Sequence, residues 1–179
     1  MNISNRQQLD ISKVALKPFH LLAQEWMLLT CGDYKTKEFN TMTVAWGSFG
    51  TMWFKPFVML VVRPPRYTYE FMEKYDNFTL SAYPAELKSK LEFCGKNSGR
   101  NVDKIAEAGL TAIPSSLVSS PSFDQAKLII ECRKMYFDDL KPENFIDDKI
   151  ESFYPEKDYH RMYFGEIVAI SACEEYIMN

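Results

Sequence analysis

The sequence has little of what most simple site chemistries need. It contains two histidines, His20 and His160, and four widely separated cysteines, Cys31, Cys94, Cys132 and Cys173. No CxxC pair and no Cys/His cluster occurs, so no metal site is expected. A chain with 46% apolar residues has enough core to do without disulfides, and the cysteines read as reduced, mostly buried thiols. The dinucleotide fingerprint GxGxxG, the phosphate loop GxxxxGK[ST] and the GxSxG elbow are all missing. Gly47-Ser48-Phe49-Gly50 is only GxxG. The longest clean apolar run, Phe57 to Val62, is far short of the roughly 20 residues of a membrane span. The opening MNISNRQQLD has no basic segment followed by an apolar one. The expectation is a soluble, cytoplasmic protein without a membrane partner. A net charge of −3 argues against a dedicated nucleic-acid binder.

What the chain has in quantity is aromatic surface. Thirteen Phe, ten Tyr and three Trp, with nine Met beside them, are many for one small core. The surplus suits a subunit interface, a flat ligand such as a ring cofactor, or both, and an aromatic-rich β core would also absorb it. The length, 179 residues, predicts a single domain over 1–179, with 1–12 as a polar arm.

Strands are expected at 26–31, 41–46, 57–63, 78–83, 127–136 and 161–172, with a shorter one at 110–113. Helices are expected between them. Thr68 is placed to cap one with Phe71, Met72 and Tyr75 inward. Pro84 can open another carrying Leu87, Leu91 and Cys94, with Gly95 at its C-terminal end. Asn101 can cap a third, with Val102, Ile105 and Ala106 inward and Gly109 just after. Pro142 can open a fourth, with Phe145, Ile146, Ile150 and Phe153 inward. Strands and helices do not alternate regularly, so the pattern predicts a mainly β antiparallel barrel with peripheral helices.

Three segments carry candidate chemistry. Gly95-Lys96-Asn97-Ser98-Gly99-Arg100-Asn101-Val102-Asp103-Lys104 sets glycines, a serine and three cations around a helix start, which suits a phosphate and equally suits a solvated basic loop. Arg63-Pro64-Pro65-Arg66-Tyr67-Thr68 holds two arginines in a rigid turn, where they could clamp a phosphate or simply face water. In Thr41-Met42-Thr43-Val44-Ala45-Trp46-Gly47-Ser48, Thr41 and Thr43 share a face and offer hydroxyls to the polar edge of a heteroaromatic ring. Gly47 would let that ring approach the backbone. Trp46 either walls the site or packs in the core.

Taken in order, Asn40 to Gly47, Lys55-Pro56, the arginine turn, Gly95 to Lys104, Ala126 to Arg133 and His160 to Ile167 resemble the flavin reductase-like family of FMN-binding split barrels, in its flavoredoxin-like branch. The resemblance runs from about Trp26 to near Cys173. It implies a six-stranded antiparallel Greek-key split barrel and a homodimer with FMN at or near the subunit interface. It implies that Thr41, Met42, Thr43, Ala45, Trp46, Gly47 and Ser48 flank the isoalloxazine ring. Arg63, Arg66, Tyr67 and Thr68 would lie near the ribityl phosphate, and Lys96, Ser98, Gly99 and Arg100 would form a second phosphate-side segment. His160 matches a family histidine near the flavin or its reductant, although a packed core histidine is the plain alternative. The implied activity is that of an NAD(P)H:flavin reductase, taking electrons from NADH or NADPH and passing them through FMN to a flavin, a metal or a partner protein. A flavoredoxin-like carrier without nicotinamide turnover and a non-redox binder of FMN or another planar ligand are the alternatives. The sequence departs from the family at two places. Tyr159, not Asp, precedes His160, and Asn101 replaces the Asp that usually follows the SGR triplet.

Overall fold

A computed structural model describes residues 5–178. Ten strands are assigned in it: β1 (Gln7–Leu9), β2 (Met27–Asp33), β3 (Glu38–Val44), β4 (Gly47–Met52), β5 (Lys55–Val62), β6 (Asn77–Ala82), β7 (Ala112–Ile113), β8 (Ser122–Phe123), β9 (Leu128–Asp139) and β10 (Arg161–Ala172). Four α-helical segments accompany them: α1 (Pro18–His20), running into a wider π turn at Leu21–Glu25, then α2 (Tyr67–Lys74), α3 (Lys88–Lys96) and α4 (Lys104–Glu107).

All pairing is antiparallel, in the order β3–β2–β6–β9–β10–β5–β4, with β1 added to the far end of β10 and β7–β8 forming a separate ribbon. The ends of this sheet are tied together. β3 stops at Val44 and β4 begins at Gly47, so three Cα steps, at most about 11 Å, join the first strand to the last. In a flat sheet those two strands would lie six spacings apart, about 29 Å. The sheet therefore curls into a barrel, with the Ala45–Trp46 link at its seam. It carries eight strands where the resemblance implied six. The additions are β1, inside the segment expected to be an arm, and β4, whose Gly47 and Gly50 hide the strand signal. Residues 1–4 of that expected arm lie outside the described residues.

Period-two alternation sorts the buried side chains into two cores. Leu29, Leu60, Phe78, Leu80, Ile130 and Tyr163 fill the barrel. Leu28, Tyr83, Ile129 and Phe123 face outward, under Leu91 and Cys94 of α3. This explains why the middle of β2 and the first half of β9 are buried on both faces. The four cysteines are free, three of them buried.

Several helix ends differ from expectation. Arg66, not Thr68, stands at the N-cap of α2, and Thr68 lies inside the helix, buried, accepting a hydrogen bond from Asn40 Nδ2 at 2.7 Å. Gly95 sits within α3, close against Thr43 of β3, so its small size serves helix-to-sheet packing and not helix termination. Asp103, not Asn101, caps α4, its carboxylate accepting from the amides of Ile105 and Ala106. Gly109 follows α4 with φ +58°, as a terminal glycine should. The segment after Pro142 forms two 3-10 turns, Pro142–Asn144 and Asp148–Phe153, in place of one amphipathic helix. Ile146 and Phe153 there point to solvent.

Candidate functional site

β3 pairs with β2 on one side only, which leaves its other edge open beside the seam. The Thr41 carbonyl accepts from Lys104 Nζ across this open edge. Residues two apart on a strand turn their main-chain groups the same way, so Thr43 also presents its amide and carbonyl there. The hydroxyls behave otherwise than expected. Thr41 Oγ1 donates to the Leu29 carbonyl at 3.0 Å and accepts from Thr30 Oγ1, while Thr43 Oγ1 donates to the Leu91 carbonyl. Both hydroxyl hydrogens are thus spent within the protein, and the donors left to a ligand at this edge are backbone amides. Gly47 is corrected too: a Cβ there would stand 2.4 Å from the Met59 carbonyl oxygen, so its missing side chain admits the neighbouring strand and not a ring.

Along this edge lies a cavity of about 380 Å³. Met42, Thr43, Val44, Ala45 and Trp46 form one side of it, and Val61, Arg63, Arg66 and His160 the other. Trp46, on the seam and 48% exposed, is a wall of the site. Its indole meets the His160 ring at 5.2 Å and stands edge-on to Phe153 at 5.8 Å. His160 is 8% exposed, and its Nδ1 is 2.8 Å from the Tyr154 hydroxyl. Burial, reinforced by the nearby Arg63 charge, pushes its pKa down to about 4. The imidazole is therefore neutral at pH 7. Arg63 is committed: Nη1 reaches both Asp158 carboxylate oxygens at 3.0 and 3.1 Å, and Nη2 donates to the Phe153 carbonyl.

A second, smaller cavity of about 110 Å³ adjoins the first, with Met42 and Arg66 in the walls of both. Thr68, Lys96, Asn97, Ser98 and Lys104 also line it. Lys104 is 4% exposed. Its ammonium donates to the Thr41 and Cys94 carbonyls, burial lowers its pKa, and no carboxylate lies within ion-pair distance among the described residues. Arg66 donates to the Gly95 carbonyl at 3.2 Å and likewise has no carboxylate partner there. The cavity stands at the N-terminus of α2, where main-chain amides lack helical acceptors. Uncompensated cations at a helix N-terminus are the donor set of an anion site. The two cavities together match a ligand with a flat ring at one end and a small anionic group at the other.

The structure separates some expected neighbours. Arg100 stacks on Tyr67, pairs with Glu70 and donates to the Pro65 carbonyl, and with Gly99 it lines a different groove, of about 660 Å³. Tyr67 lines both that groove and the small cavity. Gly99 lies so close to Asn40 that a Cβ would come within 2.2 Å of Oδ1. Gly47 and Ser48 line a third cavity of about 440 Å³ on the far side of Trp46, with Phe19, Leu22 and Ala23. Tyr154 and Asp158 are site residues to which sequence reasoning gave no role, whereas Lys104 was counted among the three cations of the phosphate-suited segment and Asn97 lies in that segment. Lys104 was visible only as one more cation in the loop, and its burial is set by tertiary packing. Among the described residues no group of three or more His, Cys, Asp or Glu gathers as a metal site, and no helix is long and apolar enough to cross a membrane.

Comparison with known proteins gives a consistent picture. The profile of the family described as "Flavin reductase like domain" matches residues 19–177. The FMN-binding domain of a flavin reductases-like enzyme from Shewanella baltica OS155 superposes with a TM-score of 0.67 at 16% identity, covering 94% of this chain and 77% of that one. Flavoredoxin of Desulfovibrio vulgaris (Miyazaki F) superposes with a TM-score of 0.66 at 20% identity, covering 97% and 83%. The NADH:FAD oxidoreductase SgcE6 of Streptomyces globisporus C-1027 gives 0.63 at 14% identity, covering 85% and 77%. At such identities the likeness establishes the split-barrel fold.

Proposed function

The chain belongs to the flavin reductase-like family, and from that premise we propose that it binds FMN and works as an oxidoreductase, taking electrons from NADH or NADPH and passing them to a flavin, a metal or a protein acceptor. The observation that carries the reading is the joining of a ring-sized cavity on an open strand edge to a small cavity with unpaired cations, through Met42 and Arg66. When bound, FMN supplies the redox chemistry itself. Arg66, Lys104, Lys96, Asn97, Ser98 and Thr68 would hold its phosphate. The main-chain amides at the open edge of β3 would face the polar side of the ring, where donors stabilise negative charge. Trp46 would wall the ring, and the neutral His160, fixed by Tyr154, would present Nε2 towards the reductant side without adding charge. None of these groups is required to act as a nucleophile.

A second reading is a flavoredoxin-like carrier without nicotinamide turnover. Arg63 favours it. Asp158 neutralises that guanidinium, so among the described residues Arg66 is the only unpaired cation lining the ring cavity. A nicotinamide dinucleotide brings two phosphates to be matched. We further propose a cytoplasmic homodimer; the dimer is supported by exposed aromatic surface at the β4–β5 hairpin, where Trp53 meets Tyr136 and Phe54 is fully exposed.

The test is a visible spectrum of the pure protein with FMN added, followed by anaerobic titration. Flavin bands that bleach with NADH or NADPH establish the reductase. Bands that bleach only with dithionite establish the carrier. No flavin uptake at all would sink both.

A further inference from the structure

A neutral histidine carries one imidazole hydrogen, and the nitrogen that holds it decides the chemistry of the ring. Where Nδ1–H donates to a carboxylate or a carbonyl, Nε2 is left as a bare lone pair, an acceptor and a base. Where Nδ1 accepts, the hydrogen sits on Nε2, which can then only donate. The surroundings of Nδ1 decide between the two for His160. Among the described residues its partner is the Tyr154 hydroxyl at 2.8 Å. No carboxylate there lies within ion-pair distance of either His160 nitrogen, because Asp158, close by in sequence, is held by Arg63. Tyr154 is 3% exposed, and its hydroxyl has no second partner among the described residues. A hydrogen on Nδ1 would leave the phenolic hydrogen buried without an acceptor, an arrangement that folded proteins avoid. Loss of that phenolic hydrogen is no way out, since burial raises the pKa of Tyr154. With Tyr154 as donor and Nδ1 as acceptor, both groups are satisfied.

The phenol is held where this contact requires it. Between β9 and β10 the chain leaves the sheet over positions 140–160, and Tyr154 lies in the middle of that excursion. Phe145 stacks on its ring at 5.9 Å, Tyr159 packs at 5.1 Å, and the Arg63 guanidinium stands 5.0 Å from the ring centre. Arg63 is itself tied to Asp158 and to the Phe153 carbonyl. On the other side of the imidazole, Nε2 has no partner among the described residues, and His160 lines the ring cavity beside Trp46. We propose that Tyr154 is a positioning residue that fixes His160 in its Nε2–H tautomer, so that the histidine offers the ring cavity a fixed hydrogen-bond donor and is not a base. A ligand meets this donor with an oxygen or a bare ring nitrogen. The contact favours the redox state in which that atom carries more negative charge. A carboxylate against Nδ1 would give the opposite polarity. The inference rests on the FMN reading for its ligand and stands apart from it for the tautomer.

The tautomer is read on the ¹⁵N-labelled full chain without flavin, from long-range proton–nitrogen correlations of the imidazole rings at pH 7, where burial keeps His160 neutral. The chain has two histidines, so an H20Q variant assigns the signals. His160 is expected to show its hydrogen on Nε2 and a bare Nδ1. The reverse pattern, or a mixture of the two, overturns the proposal before any variant of the site is made. Y154F keeps the ring and removes the hydroxyl, and is expected to move the Nδ1 resonance and admit the second tautomer. A His160 pattern in Y154F identical to that of the parent overturns the role of Tyr154. The donor itself is tested through the midpoint potential of bound FMN. H160L should lower it by about 30 mV, a tenfold fall in the reduced-to-oxidised ratio of a two-electron couple. H160Q, which restores an N–H at similar reach, should recover most of that loss. An unchanged potential in H160L, or equal losses in the two variants, overturns the donor role, because a histidine that merely packs would not distinguish the amide. These two variants and the parent's own pattern keep the test decisive even where Y154F does not fold. A chain that takes up no FMN yields no potential but still yields the tautomer, so failure of the FMN reading is distinguishable.

Discussion

His160 is one of two histidines in the chain, and its environment sets both its chemistry and its contribution to stability. Unfolded, it titrates near the ordinary histidine value of about 6.5; folded, burial holds it at about 4. Below pH 6.5 the unfolded chain takes up a proton that the folded one refuses, so stability is full above pH 6.5 and falls as the pH drops towards 4. The loss is on the order of 3 kcal/mol. Urea midpoints measured at pH 7 and pH 4.5 should therefore lie closer together for H160N than for the parent; an equal gap would show that other groups govern the acid limb. Lys104 permits a sharper test of ligand chemistry. Its ammonium lies buried beside the small cavity without a carboxylate. K104M should weaken FMN binding by tenfold or more and leave riboflavin, which has no phosphate, bound as before. An equal loss for both ligands would assign the lysine to the fold alone. His160 stood out in the sequence through rarity. Its partner Tyr154 did not, because a contact across six residues of irregular chain leaves no periodic signal.

At the scale of elements, strands with a clean alternation were legible to within a few residues. Arg161–Ala172 appears at its expected bounds, and the expected strands at 26–31, 57–63 and 78–83 are displaced by one or two positions. Signals failed where local chemistry conflicted with tertiary demand. β4 reads GSFGTM, half of it exposed, and looks like a loop until its pairing with β5 is known. Gly47 shows what that pairing requires. A Cβ there meets main chain, the Met59 carbonyl oxygen at 2.4 Å, and main chain cannot rotate away. G47A should cost roughly 1–3 kcal/mol in urea unfolding, the usual toll of overpacking. Because this residue directly follows the Ala45–Trp46 seam, the change should also loosen Trp46, seen as a shift and broadening of tryptophan fluorescence. A variant as stable as the parent would mean that β4 does not lie against β5 as described. The helix caps were misplaced for a related reason. Thr68 and Asn101 have good capping side chains, but Thr68 is used as an acceptor for buried Asn40, and Asp103 is better placed to cap α4.

At the scale of the whole molecule, the short seam closes the barrel and leaves aromatic surface with no core to enter. The excess seen in the composition divides accordingly: Phe78, Phe123 and Tyr163 are buried, while Trp46, Trp53, Phe54, Tyr136 and Phe137 are not. The β4–β5 hairpin shows this most plainly. Its two-residue loop is Trp53-Phe54, with φ of 53° and 58°, a left-handed pair that hairpins ordinarily give to Asn-Gly. Each bulky L-residue there costs about 1–2 kcal/mol relative to glycine. Folding alone does not account for two exposed aromatic rings at strained positions, whereas the proposed contact with a second subunit would. Replacing them should then have opposite effects on two measurements. The W53N/F54G variant should gain about 1–3 kcal/mol in urea unfolding of the monomer, as backbone strain is released. In sedimentation it should shift from the proposed dimer towards monomer, because the rings proposed to fill its interface are gone. A variant that gains stability and remains dimeric would move the interface elsewhere on the barrel. A variant that loses stability would show that Trp53, through its contact with Tyr136, supports the folded monomer itself.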